Sequence, residues 1–186
     1  LSRGLGDVYK RQGEDEARRA LAALARFDVD YVEQPVARED VAALARLASE
    51  GRVGVAADEV LLGDGWRRCL EEEAIRVFVA KPAALGSLDV AIAFARRVAE
   101  RGDRLVWSTL IDGAVGRGAA RAMAAATGAR DEVHGLGTGP LLAKDLCAES
   151  DPIVDGAQAL PAESGLGVVP SSAVLEAAHV VLEVEG

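Results

Sequence analysis

Five positions in the 186-residue chain carry groups from which a site could be assembled: Glu33, Asp58, Lys81, Ser108 and Gly135. Each ends a short apolar run, and the steps between them are 25, 23, 27 and 27 residues. Glu33 and Asp58 offer hard carboxylate oxygens, which suit Mg²⁺ in octahedral geometry when water and substrate complete the shell. Two such ligands are present, and a third is expected from a strand preceding Glu33. Lys81 ends the next run, and a lysine beside a metal and apolar walls can carry a proton. Together the three suit removal of a proton α to a carboxylate, with the metal stabilising the charge that develops. Each residue also has a plainer reading. Glu33 could be a solvated charge, Asp58 with Glu59 could cap the next helix, and Lys81 before Pro82 could extend to solvent. Their recurrence at one place in successive repeats favours the shared site.

A second feature is the glycine-rich stretch GLGTG, Gly135 to Gly139, read as ending a strand and opening a helix. Backbone N–H groups in such a turn bind an anion, a carboxylate as readily as a phosphate. It lacks the βα context and downstream acid of a dinucleotide fingerprint. His134 and His179 lack partner spacing and read as structural or surface residues. Trp66 and Trp107 read as packing groups, and Arg38, Glu39 and Asp40 as the first turn of a helix.

The elements that must position these groups alternate along the chain. Ala17, Leu21 and Leu24 form a helical stripe, followed by the strand-like VDYVEQP. Val41, Leu44 and Ala48 mark the next helix, which Gly51 ends. Then come VGVAADE, a helix over 64–73, RVFVAKP, and an amphipathic helix on Leu88, Ile92, Ala95 and Val98. For that helix Ser87 is the expected N-cap and Gly102 the stop. LVWSTL, an Ala-rich helix to Gly128, the short strand VHGLGT and a last helix through Leu146 complete the pattern. A near-constant βα period indicates parallel strands with crossover helices. A doubly wound sheet and a (β/α)8 barrel both fit. The barrel is favoured because functional groups end five successive strands instead of gathering at one switch point. Five units fall short of the roughly 250 residues of a whole barrel, so the expectation is the last five βα units of a TIM-type barrel, without its first three strands.

Composition narrows the classes. Half of the residues are apolar and only 4% aromatic, which suits closely packed helices and strands better than an all-β sandwich. The net charge of -9 argues against nucleic acid, since phosphate binding needs clustered Lys and Arg. No run of about 18 apolar residues predicts a membrane span, and no signal segment is expected. Cys69 and Cys147 have no ligand-like spacing and read as reduced thiols of a cytoplasmic protein. Residues 1–12, LSRGLGDVYKRQ, resemble a translated sequencing adapter, which implies a gene extending upstream. Residues 13–147 are expected to form the partial barrel, and 148–186 a tail that packs back on it or on a capping domain.

The motifs YVEQPV, AADEV, VFVAKPAALGSL, STLIDGAVGRGAA and HGLGTGPLLAKDL resemble, in order and spacing, the muconate-cycloisomerase-like branch of the enolase superfamily. Within it the chain is most similar to o-succinylbenzoate synthases, which dehydrate a cyclohexadiene carboxylate in menaquinone biosynthesis. The resemblance covers roughly 14–167. It implies Mg²⁺, with Glu33 and Asp58 as the second and third metal ligands and Lys81 as the lysine that stabilises the enediolate. It places Ser108, Thr109, Gly135, Gly137 and Thr138 near the carboxylates of a small-molecule substrate. The family's capping domain, second-strand Lys-x-Lys and third-strand Asp are absent, so the chain alone is expected to be catalytically dead and to fold poorly. Two alternatives stay open: an N-acylamino acid racemase or dipeptide epimerase of the same branch, in which Lys81 is the second proton carrier, and a non-catalytic α/β binding module. Oligomeric state is not legible.

Overall fold

A computed structural model describes residues 13–128, 132–147, 152–162 and 164–177. The adapter-like segment and His179 lie outside the described residues. The order is α1 (Glu14–Leu24), β1 (Tyr31–Glu33), α2 (Val41–Ser49), β2 (Gly54–Ala57), a 3-10 turn (Glu59–Leu61) and α3 (Gly65–Glu71). There follow β3 (Val77–Ala80), α4 (Pro82–Leu85), α5 (Leu88–Glu100), β4 (Arg104–Trp107) and α6 (Ala114–Thr127). The four strands form one parallel sheet in chain order, and Ser108 bridges Gly135 in the same sense to add a fifth position. The structure therefore has the parallel βα repeat of a partial TIM-type barrel, with no closed ring among the described residues. No helix among them is long and apolar enough to cross a membrane.

Caps follow the sequence signals. Ser87 Oγ accepts the Val90 N–H at 3.2 Å, and Gly102 adopts a φ of +69° where α5 ends. Asp40 caps α2 through Ala43 N, so Arg38 and Glu39 precede the helix and do not form its first turn.

Strand alternation sorts the side chains into two layers. Val32, Val55, Ala57, Phe78, Ala80, Leu105 and Trp107 pack against the helices in one continuous core. Phe94 of α5 stands edge-on to both Phe78 and Trp66, with ring centroids 5.7 and 5.8 Å apart. Ala56, Val77, Val79 and Val106, with Tyr31 against them, form a separate cluster on the opposite face. That second face is the inside of the barrel wall.

The wall curls. Arg104, at the start of β4, donates to both carboxylate oxygens of Asp30 at 2.8 and 2.9 Å and sits over the Tyr31 ring. Three strand spacings would hold these groups about 14 Å apart in a flat sheet, with side chains standing parallel. Only a concave inner face lets them meet. The same guanidinium binds Glu132 before the fifth position, so one ion-pair cluster floors the wall at its N-terminal end.

Two expected elements are different. VHGLGT contributes only the single bridge at Gly135, because the Trp107 N–H, which a longer strand would take, donates to His134 Nδ1 at 3.1 Å. The imidazole replaces a backbone carbonyl and the ladder stops there. The last helix through Leu146 is instead one 3-10 turn, Gly139–Leu141. Beyond it Ser171 N donates to Leu146 O, and Arg121 donates to Leu166 O.

Burial lowers the His134 pKa below its ordinary value, with the Glu132 charge opposing, and the neutral ring is the form that accepts the Trp107 N–H. A folded value below the unfolded one means this stability is complete above about pH 6.5 and declines as pH falls beneath it. His134→Ala leaves a buried N–H unpaired and is expected to cost about 1–3 kcal/mol in urea denaturation at neutral pH. The deficit should shrink by about pH 5; a deficit that is constant with pH would contradict the assignment.

Candidate active site

Period-two alternation carries the inner face outward to the strand ends. Tyr31 leads to Glu33, Ala56 to Asp58, Val79 to Lys81 and Val106 to Ser108. All four groups therefore leave the sheet on the inner face, at its C-terminal edge, where barrel enzymes hold their chemistry.

Their heights fall within about two residues of one another. Glu33 pairs with Ala56, so Asp58 lies two residues further along its strand. Ala57 pairs with Phe78, which puts Lys81 two residues beyond the level of Asp58. Ala80 pairs with Trp107 and Ser108 with Gly135, so the last two steps add nothing. The net advance is four residues in four steps. Strands about 4.8 Å apart and tilted about 36° shift equal heights by about one residue per strand. Glu33 and Gly135 are thus level along the barrel axis, with Asp58 and Ser108 about one residue and Lys81 about two residues higher.

Side-chain contacts bear this out for two of them. Lys81 Nζ donates to Asp58 Oδ1, and both side chains are largely buried, at 15% and 5% exposure. Glu33 stands beside them on the next strand, half-buried, and together with burial its charge pushes the Tyr31 phenol up to about 12. Two carboxylates on adjacent strands, with half a ring open before them, fit a hard divalent cation that keeps water and substrate ligands. No group of three or more His, Cys, Asp or Glu side chains that could hold a metal occurs among the described residues.

The residues assigned to substrate binding divide. Ser108, Gly135 and Gly137 are accessible at the rim. Gly135 is a close approach, because a Cβ there would meet Ser108 Oγ at 2.8 Å. Thr109 is only 5% exposed, with its hydroxyl 3.3 Å from Gly135 O and 2.9 Å from Thr138 Oγ1. Thr138 donates to Leu110 O, so these two hydroxyls tie the loops together. A cleft of about 460 Å³ lies beside this loop, touching Gly137, Gly139, Arg117 and Asp145 but neither Glu33 nor Asp58. The chemistry of the strand ends, and not this cleft, locates the site.

Sequence reasoning passed over two positioning groups. Asp145 accepts from Ala114 N, Leu146 N and the buried Arg117, pinning the rim loop to the start of α6. Gln34 is fully buried behind Glu33, and its only sequence signal is its place between Glu33 and Pro35.

This arrangement defines a βα-barrel wall with an acid–acid–lysine rim. The chain belongs to the family described as enolase C-terminal domain-like, whose model matches residues 5–174. It is 35% identical over 156 residues to an o-succinylbenzoate synthase of Thermobifida fusca, covering 83% of this chain and 47% of that protein. It is 37% identical over 146 residues to the Mycobacterium tuberculosis o-succinylbenzoate synthase, covering 77% and 43%. Among solved structures, muconate lactonizing enzyme from Pseudomonas putida superposes with a TM-score of 0.81 at 25% identity, covering 92% of this chain and 48% of that one. The chain thus spans about half the length of the relatives it matches.

Lys81→Met leaves the Asp58 carboxylate buried without its cation and is expected to destabilise by about 3 kcal/mol. A double-mutant cycle with Asp58→Asn in urea should give a coupling above about 1 kcal/mol. Additive effects would mean that the two side chains do not meet.

Proposed function

We propose that this chain supplies two metal carboxylates and a lysine to a Mg²⁺-dependent lyase that removes a proton α to a carboxylate and forms o-succinylbenzoate. The observation that carries the reading is the meeting of Lys81 with Asp58 beside Glu33, within about two residues of one height on the inner rim. The relatives' names support the product, and the menaquinone pathway comes from the same likeness. Reduced, buried Cys69 and Cys147 accord with a cytoplasmic setting.

Glu33 and Asp58 would hold the metal through hard oxygens. When bound, Mg²⁺ supplies positive charge that stabilises the anion developing at the substrate carboxylate. Lys81 presents a second positive charge across the rim from Glu33, on a strand that fixes its stem. Ser108 and the Gly135 to Gly137 backbone offer polar groups to a substrate carboxylate. The buried Val77, Val79 and Val106 cluster keeps water from reaching the site through the wall. The second-strand Lys-x-Lys and third-strand Asp of the resemblance are not in the sequence, so the 186 residues alone are expected to give no turnover.

Mn²⁺ titration followed by electron paramagnetic resonance should show one saturable site, weakened at least about tenfold by Glu33→Gln or Asp58→Asn. Residues 13–186 joined to the complementary N-terminal half of the Thermobifida fusca enzyme should dehydrate the cyclohexadiene substrate. Lys81→Ala should slow that step by about 10² to 10⁴. If that polypeptide instead exchanged the α-proton of both enantiomers of an N-acylamino acid and left the cyclohexadiene untouched, the racemase reading would replace this one.

A further inference from the structure

Asp58 sits at the N-cap of the 3-10 turn Glu59–Leu61, yet its side chain makes no capping hydrogen bond. An aspartate in that place ordinarily turns its carboxylate back onto the N–H two or three residues on. Here Gln34, from the neighbouring strand end, occupies that role. Its Oε1 accepts the Val60 N–H at 3.2 Å and the Asp58 N–H at 3.1 Å. Its Nε2 donates to Val36 O at 3.2 Å, and its backbone N–H donates to Ala56 O at 2.9 Å. The amide's two ends face two donors and one acceptor, so its orientation is fixed by its surroundings.

Reaching that position has a cost. Gln34 is one of two described non-glycine residues with positive φ, at +40°, and it is fully buried. A residue held there is strained unless its surroundings over-determine it. Four hydrogen bonds and the following Pro35 do so. The turn throws the side chain behind β2, while Glu33, one residue earlier, keeps its place on the inner face.

We infer that Gln34 is a positioning residue: it caps the turn in place of Asp58 and so releases the Asp58 carboxylate to the rim, toward Lys81 and a divalent cation. The cation half of this statement rests on the metal reading above; the capping half does not. Gln34 acts through the backbone N–H groups of Asp58 and Val60.

The test has two arms, both on the 186-residue chain. In the first, amide hydrogen exchange of Val60 is compared between wild type and Asp58→Ala. Relative to the amides of β3, which report the global cost of losing the Lys81 pair, Val60 protection within about threefold is expected, because Gln34 holds that N–H; a selective loss of about tenfold or more would make Asp58 the cap and overturn the proposal. In the second, Mn²⁺ affinity is measured for Gln34→Met and Gln34→Glu. The first should weaken Mn²⁺ by about 10- to 100-fold, as loss of a supporting residue does, with far-UV circular dichroism unchanged. The second keeps both accepting contacts but loses the donor to Val36 O, so its affinity should fall between those of Gln34→Met and wild type. Unchanged affinity in a folded Gln34→Met also overturns it. If wild type takes up no Mn²⁺, the metal reading fails and the exchange arm alone decides the role of Gln34.

Discussion

The parallel backbone ladder from β1 to β4 is the constraint on which everything else rests. Its hydrogen bonds fix which residue stands beside which, and period-two alternation then fixes which side chains leave on the inner face. A slip of one residue in any strand would send its functional group to the helix side and bring Val32, Ala57, Ala80 or Trp107 to the rim. Register here is strongly specified, because both faces are buried and carry different volumes: Phe78 and Trp107 on the helix side, Ala56, Val77, Val79 and Val106 within. The helices thus hold the chemistry in place without touching it.

The rim is electrostatically frustrated by design of its backbone. Two carboxylates and an ammonium are drawn from three strands into a largely buried space, where unpaired charge is expensive. The Lys81–Asp58 pair offsets part of that cost, and a bound cation would offset more. At the opposite end Arg104, Asp30 and Glu132 form a more exposed cluster that closes the floor and draws β4 toward β1. Hydrogen bonds from Arg104 hold the Asp30 carboxyl below the ordinary carboxylate value. One end of the wall spends its charges on shape and the other keeps them for chemistry.

Much of this was legible in the residues. The repeat of about 25 residues gave the parallel βα order, and Glu33, Asp58, Lys81 and Ser108 each stand where a strand's inner face meets the rim. Caps at Ser87 and Gly102 were readable because their chemistry is local. What escaped was non-local. That Thr109 and Thr138 bond each other depends on two loops 29 residues apart. The shortening of the fifth strand depends on His134 taking an N–H from its neighbour. The capping of Asp58's turn by a glutamine 24 residues upstream inverts a rule that reads Asp as its own cap. Sequence patterns report what a residue does with its neighbours in the chain, and these three act on neighbours in the sheet.

A crystal structure of the chain soaked with Mn²⁺, read by anomalous scattering, tests the central claim most directly. The account predicts one strong peak at the inner rim, bound by oxygens of both Glu33 and Asp58 at about 2.1 to 2.3 Å, with Lys81 on the same face. A peak elsewhere, or Glu33 and Asp58 leaving the sheet on opposite faces, would contradict it.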